Sequence, residues 1–175
     1  MAVTAAMASL VALLGTASAP QPCNTRAGVF YDEHHSFSVD APPGWCLSGL
    51  RGDMVFAPVE TSSDLSITIT YAAVKDIAVP RERLEANALQ KWSVDTAARP
   101  LSTIRTRWGS TVSVWRASAS GDEPARLIGL LPHETIMISF VLSAHTDAAL
   151  EVAAPQFQSL VGSFRSNLKG RRTTR

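Results

Sequence analysis

The sequence predicts an α+β domain in which helices pack on an antiparallel β-sheet. Short segments of alternating apolar and polar residues recur at close spacing, with turn residues between them. Two amphipathic segments, one in the middle of the chain and one near its end, have the period of a helix. The 175 residues, of which 46% are hydrophobic and 18% charged, suffice for one globular core.

Residues 1–19 contain no charged side chain, and their short apolar centre is followed by small residues. This pattern is typical of a cleaved secretory signal peptide, with an uncleaved anchor as the alternative. We therefore expect a signal peptide over 1–19, a single domain over 20–167 and a basic disordered tail over 168–175. The protein is expected to be exported, either secreted or located in the cell envelope, in the periplasm or at the cell surface.

The mature chain retains two cysteines, Cys23 and Cys46. An oxidising compartment allows two such residues to form a disulfide. Closing this loop of about 24 residues would stabilise the fold by roughly 3 kcal/mol on a chain-entropy model. Two unpaired thiols are the alternative, and the spacing is too wide for a redox-active C-x-x-C pair.

The first half of the mature chain is predicted to be extended. Its clearest strand covers 65–74, where apolar residues occupy every second position, as in a sheet with one buried face. Shorter strands are predicted over 29–31, 37–39 and 54–56.

A helix is predicted next, over 81–98. Pro80 suits the first helical turn because its φ is fixed and it has no N–H to donate. Apolar residues fall on one arc of this helix, and Arg99-Pro100 ends it. The residues on the arc are Leu84, Ala88, Leu89 and Trp92.

Four more strands follow at short spacing. Gly109-Ser110 is a two-residue hairpin turn by composition, and a second turn is predicted at Pro132-His133-Glu134. The run 136–142 is apolar almost throughout, which favours a central strand covered on both faces. The four strands are predicted over 102–108, 111–119, 125–131 and 135–143.

The last element is predicted to be a helix that a proline interrupts. A short turn from Asp147 precedes a main helix that starts near Pro155. The apolar residues repeat at intervals of three and four, which gives a continuous stripe. They are Leu150, Ala153, Ala154, Phe157, Leu160, Val161 and Phe164.

Two segments carry a resemblance to a known family. Residues 36–45 read S-F-S-V-D-A-P-P-G-W, a strand followed by a proline and a Gly-Trp turn. Residues 157–165 read F-Q-S-L-V-G-S-F-R, a closing helix with a Ser-Phe pattern. With the strand meander between them, they are similar to the Mog1/PsbP-like family, which includes bacterial exported PsbP-like and DcrB-like proteins. The likeness extends from Val29 to Arg165.

The resemblance implies an α/β/α sandwich. Relatives in the family include a nuclear protein that binds a small GTPase, an extrinsic subunit of photosystem II, and bacterial envelope proteins or chaperones. Most of these act by binding another protein without catalysing a reaction. The resemblance therefore implies a non-catalytic domain that binds a protein in the envelope or outside the cell. It assigns no site residue, because no site motif of these relatives matches this sequence.

The candidate binding residues surround the predicted hairpin turn. Trp108 and Trp115 flank this turn, so in a hairpin they could stand near each other. With Arg105, Arg107 and Arg116 they would form an aromatic and basic surface that binds the partner. The alternative is that the tryptophans pack across the strands while the arginines reach into solvent.

Motifs for catalysis are weak. Asp32-Glu33-His34-His35 contains the ligand types of a zinc site, but neighbours on a strand point to opposite faces. We expect a solvated turn there and no metal. The sequence lacks a G-x-S-x-G elbow and glycine-rich nucleotide motifs, so no cofactor and no enzyme are expected. A small secreted hydrolase or metal enzyme around His34 and His35 is the alternative.

The charge balance narrows the kind of partner. Sixteen basic and fifteen acidic side chains give a formal net charge of +1, which argues against nucleic acid. The basic tail offers a weak contact with an anionic surface such as lipid or wall polymer. An envelope or extracellular protein is the expected partner. The alternative is a carrier or chaperone for an apolar ligand or membrane segment, with a groove between sheet and helices.

Overall fold

The structure, a computed structural model, describes residues 29–31, 36–49, 53–59, 64–73, 79–92, 94–95, 99–133 and 136–167. The expected signal peptide, Cys23, residues 32–35, Glu134 and the expected tail lie outside these ranges. The strands are β1 (Val29–Tyr31), β2 (Phe37–Asp40), β3 (Trp45–Gly49), β4 (Met54–Pro58), β5 (Ser66–Ala73), β6 (Ser102–Arg105), β7 (Thr111–Ala117), β8 (Ala125–His133), β9 (Ile136–Ala144) and β10 (Arg165–Ser166). The helices are α1 (Arg81–Gln90) and α2 (Asp147–Ser163). Neither of these two helices is long and apolar enough to cross a membrane.

Seven strands form one antiparallel sheet in the order β3-β4-β5-β9-β8-β7-β6. The central strand β9 pairs with β5 on one side and with β8 on the other. Its residues 137–142 are all buried, because α1 and α2 cover opposite faces of the sheet. The predicted class, with helices packed on an antiparallel sheet, is therefore confirmed, and so is the central strand.

Helix α2 packs closely on one face of the sheet. Phe157 is fully buried in the larger core cluster together with Phe140. Gly129 in β8 permits this approach: a Cβ there would lie 2.9 Å from Val112 Cγ1 and 3.3 Å from Phe157 Cζ. The helix can rest on the sheet at this depth because residue 129 has no side chain.

The predicted interruption of the last helix at Pro155 was wrong, since α2 is continuous through it. Thr146 starts the helix, and its hydroxyl accepts a hydrogen bond from Ala149 N at 3.1 Å. A proline ring removes the bond to the carbonyl four residues earlier, here that of Glu151. Both residues lie on the exposed side of α2, where water can hydrate that carbonyl.

Helix α1 covers the opposite face of the sheet, over β8 and β9. It ends at Gln90, well before the predicted residue 98. Two amides, those of Trp92 and Val94, bond to Leu89 O at 2.9 and 3.4 Å and close a tight turn. This turn brings Val94 into the second core cluster, where it packs with Leu89 and Trp115. The chain therefore leaves the helix after Gln90, and Val94 is buried in the core instead of continuing the helix to residue 98.

Strand β8 is longer than predicted. Pro132 and His133, which were expected to turn, continue the strand and pair with Met137 and Ile136. Proline is tolerated there because it lies next to the end of the strand, where few ladder bonds remain. The prediction that the turn begins at Pro132 and includes His133 was therefore wrong.

A second, three-stranded sheet has the order β1-β2-β10. Its middle strand β2 carries Phe37 and Val39, both fully buried in the larger core cluster. Ser38 of β2 pairs with Arg165 of β10, so the chain directly after α2 returns to an early strand. The last residue of β2, Asp40, donates its backbone N–H to Ser163 Oγ at 2.8 Å. Both ends of the described chain therefore meet beside the end of α2.

Candidate interaction surface

The loop between β6 and β7, residues 106–110, is a tight turn held by its own hydrogen bonds. Thr106 N donates to Ser110 O at 2.9 Å, and Gly109 N donates to Thr106 O at 2.9 Å. The Thr106 hydroxyl accepts a bond from Ser110 N at 3.2 Å. Gly109 has a φ of +90°, which other residues adopt only with strain. The turn is longer than the two-residue turn predicted, and it is pre-organised.

Two further bonds join this turn to the end of α2. Arg107 N donates to Gly162 O at 2.8 Å, and Trp108 N donates to Phe164 O at 3.3 Å. The last carbonyls of a helix have no partner within it, so an external donor stabilises them. The backbone at Trp108 is therefore fixed from two sides, by the turn itself and by α2.

Trp108 projects from this fixed turn. Its side chain is 49% exposed, whereas Trp45 is 9% and Trp115 4% exposed. Among the large hydrophobic residues that the structure describes as exposed, Trp108 is the aromatic one; the others are Val59, Leu101 and Val152. An exposed indole on a fixed backbone presents a large apolar area with little conformational entropy left to lose on binding.

Two guanidinium groups lie beside the turn and share one carboxylate. Asp40 Oδ2 accepts a bond from Arg107 Nη1 at 2.6 Å and from Arg165 Nη2 at 3.2 Å. All three side chains remain partly exposed, with Arg107 at 60%. We call Asp40, Arg107, Trp108 and Arg165 the turn surface. Its formal charge is positive, since two cations meet a single anion.

The five residues predicted to bind do not come together. Trp115 is buried on β7 against α1, in the second core cluster. The loop takes up residues 106–110, so Trp115 lies well along β7, beyond the register pair Ser102↔Val114. Trp108 lies at the other end of the hairpin and at α2. The two tryptophans therefore cannot share an exposed surface. The alternative prediction, in which a tryptophan packs on the sheet, applies to Trp115.

Arg105 is exposed at the end of β6. Its neighbour Ile104 packs against the α2 side of the core. Because side chains alternate along a strand, Arg105 points to the opposite side. It therefore lies near the turn surface in sequence but outside it.

Arg116 has a structural partner. It donates to Asp147 Oδ1 at 2.9 Å and also pairs with Glu151, so it links β7 to the first turns of α2. The hydrogen bond from Arg116 holds the pKa of Asp147 below its ordinary range. The two carboxylates in turn raise the pKa of Arg116. Among the predicted residues, Arg107 and Trp108 therefore remain as candidates for binding.

A serine and a histidine meet between the two sheets. Ser166 Oγ lies 2.8 Å from His133 Nε2, with Phe164 packed edge-on to the imidazole at 5.9 Å. His133 is 8% and Ser166 7% exposed. A hydroxyl and an imidazole at this distance have the chemistry of a nucleophile and its base. Both side chains are buried among the described residues, and the bond ties β8 to β10.

Within the part of the chain that the structure describes, no three His, Cys, Asp or Glu side chains are grouped as metal ligands. His34 and His35 lie outside that part. Cys46 is 4% exposed on β3, and its expected partner Cys23 is not described. The metal alternative and the disulfide therefore stay predictions.

No family model and no curated protein matches the chain. The chain is similar to the solution structure of cyanobacterial PsbP (CyanoP) from Synechocystis sp. PCC 6803, with 15% identity, a TM-score of 0.55, and coverage of 79% of this chain and 91% of that one. The Saccharomyces cerevisiae Ran-binding protein Mog1p shares 11% identity at a TM-score of 0.52, over 79% and 94%. A Bacteroides thetaiotaomicron protein shares 10% at 0.54, over 81% of this chain and 49% of that chain.

Proposed function

Given that the chain has the Mog1/PsbP-like fold, an α/β/α sandwich, we propose that it is a non-catalytic domain that binds a protein partner through the turn surface. One observation carries this proposal: Trp108 is half exposed on a turn that hydrogen bonds fix, next to Arg107, which shares one carboxylate with Arg165. A structural neighbour, Mog1p, is described as a Ran-binding protein. This supports protein binding as the kind of activity. It does not assign the partner of Mog1p to this chain.

The composition of the turn surface suits a protein interface. Tryptophan and arginine are the residues that most often dominate binding energy, especially where they are central and rigidly held. The backbone at Trp108 is bonded to Phe164 O, so the main chain that carries the indole is already positioned before a partner arrives. The excess positive charge favours a partner whose contact patch is acidic and has an apolar pocket for the indole.

The proposed site of action is outside the cytoplasm. Support comes from residues 1–19, which have the pattern of a secretory signal. Fractionation of cells that express the natural chain, with Edman sequencing of the mature N-terminus, tests this part separately. A mature chain that starts after residue 17 or 19 supports export. Cytoplasmic protein that retains residues 1–19 contradicts it.

The binding proposal is tested by crosslinking in cells at native expression. A C-terminally tagged chain is crosslinked and purified, and captured proteins are identified by mass spectrometry. We expect one dominant protein, lost in Trp108→Ala and reduced in Arg107→Gln. Leu101→Ala is the matched control, because Leu101 is 64% exposed at the opposite end of β6.

Folding must be compared in the same variants. Because Trp108 is half exposed, Trp108→Ala should keep the melting temperature within a few degrees of the parent. Capture that survives Trp108→Ala unchanged excludes the turn surface as the binding site. Capture that Leu101→Ala abolishes equally would exclude it as well.

A further inference from the structure

A groove runs along the open side of α1. The helix packs on β8 and β9, and the groove lies between this helix and β5 of the same sheet face. The resulting cleft has a volume of about 850 Å³, which lies in the range of small-molecule sites. It is on the opposite face of the sheet from α2, so it is separate from the turn surface.

One wall of the groove is apolar. Leu84, Ala88 and Trp92 recur every four residues along α1 and its end, so they form one stripe. Met137 and Ala72 of the sheet continue this apolar lining. Together they offer an elongated apolar surface rather than a closed cavity.

The adjacent stripe of α1 is polar and positively charged. Arg83, Asn87 and Lys91 also recur every four residues and line the groove. Neither Arg83 nor Lys91 forms a side-chain ion pair with any residue that the structure describes, although other arginines of the domain do. Asp53 is the acidic residue of the described lining, so cations outnumber anions there.

Further residues with hydrogen-bond donors line the groove. Thr70 and Ser139 belong to its sheet side, and Asn87 belongs to its helix side. A carboxylate has about four acceptor sites and no donor, so it can be bound by hydroxyl, amide and cationic donors at once. A plain hydrocarbon would leave these groups without partners.

We propose that the groove binds an amphiphilic carboxylate, a molecule with an apolar chain and one anionic head. The chain would lie along Leu84, Ala88 and Trp92, and the head would face Arg83 or Lys91. Charge complementarity selects the anion, and the apolar stripe selects the chain. This activity is independent of the protein partner at the turn surface.

Sodium laurate below its micelle concentration is the probe. Isothermal titration calorimetry and thermal denaturation of the full mature chain should show saturable binding and a rise in melting temperature. Dodecyltrimethylammonium, which has the same chain and the opposite charge, should bind at least tenfold more weakly. The double variant Arg83→Gln/Lys91→Gln should weaken laurate binding at least tenfold.

The matched control is Arg99→Gln/Arg105→Gln, which removes two exposed arginines outside the groove lining. It should bind laurate as the parent does. Ala72→Phe tests the apolar part, since Ala72 is exposed in the groove and a phenyl ring there would occupy it. We expect this variant to fold normally and to lose laurate binding.

Three results would overturn the proposal: no saturable laurate binding, equal binding of the cationic amphiphile, or equal losses in the groove and control variants. If laurate fails and polyglutamate instead raises the melting temperature of the parent but not that of Arg83→Gln/Lys91→Gln, the groove binds an acidic protein segment. None of these outcomes affects the crosslinking test at Trp108, so the two proposals can fail separately.

Discussion

Asp40 and Arg165 are 125 positions apart in the sequence, yet their side chains form an ion pair at 3.2 Å. The pairing of β2 with β10 places them together, because Ser38 lies opposite Arg165. Arg107 reaches the same Asp40 oxygen from the β6–β7 turn. Three distant parts of the chain therefore build the turn surface, and its charge depends on all of them.

Gly109→Ala should destabilise the domain by about 1–2 kcal/mol, because Gly109 has a φ of +90°. The cost is conformational, since an added Cβ would have open space around it. Urea denaturation measures it. Gly162→Ala is the control: its Cβ would lie 4.0 Å from Arg105 O in a helix, so a gain of about 0.4–1 kcal/mol is expected. A Gly109→Ala variant as stable as the parent would contradict the fixed turn.

Gly129→Ala should cost about 1–3 kcal/mol through overpacking, because the new Cβ would lie 2.9 Å from Val112 Cγ1. The neighbouring side chains, Val112 and Phe157, are packed in the sheet core. Relief of the overlap therefore requires a shift of β7 or α2. A double-mutant cycle with Val112→Ala provides the check by urea denaturation. We expect the double variant to be more stable than the sum of the single effects predicts. Simple additivity would show that residue 129 is not tightly packed.

Arg116→Gln should lower stability in a pH-dependent way. Asp147 has a pKa below its ordinary value of 3.8 because Arg116 donates a hydrogen bond to it. A carboxyl with a lowered folded pKa stabilises the fold above its unfolded pKa, and this is lost as the pH falls through the folded value. The variant should therefore be less stable than the parent near pH 6, and the gap should narrow below about pH 3.8. Denaturation at both pH values measures this.

The contrary result for Arg116→Gln is a gap that stays the same at both pH values. Such a constant gap would assign the effect to lost contacts of the long arginine side chain. Arg126→Gln is a useful comparison, because Arg126, in β8, pairs with Glu123 three residues away and does not join β7 to α2.

Cys46 and Cys23 are expected to be joined in protein purified from an oxidising compartment. Intact mass spectrometry after alkylation, with and without reduction, should show two alkylated thiols only in the reduced sample. Loss of the bond should lower stability by roughly 3 kcal/mol on the chain-entropy model. Two thiols that are alkylated in the unreduced, unfolded protein would exclude the disulfide.

Much of the fold follows from local sequence patterns. The apolar run 136–142 predicted the central strand, and the stripe from Leu150 to Phe164 predicted the final helix. Both patterns work because burial on two faces or on one helical arc leaves a periodic trace in the sequence. Boundaries were less certain: Val94 packs in the core after a tight turn, and the helical pattern of α1 does not reveal where that turn occurs.

The turn surface could be predicted only in part. Trp108 stood out because it precedes a glycine turn signal, and Arg107 stood out as a cation near it. Asp40 and Arg165 were missed as site residues, although both lie within the segments that carry the family resemblance. Their proximity depends on the β2–β10 pairing, which spans most of the chain and has no local signal. Trp115 was misplaced because no local signal in the sequence shows that α1 covers its face of β7.

The position of β10 has a consequence for the order of events during synthesis. A chain emerging from the ribosome N-terminus first makes β2 long before β10, and β2 cannot complete its sheet until Arg165 and Ser166 have appeared. The bonds that hold Asp40 and His133 to those two residues must wait as well. Such long-range pairing closes slowly. Strand β10 therefore completes the fold, and the whole domain can form only after its last described residues have been translated.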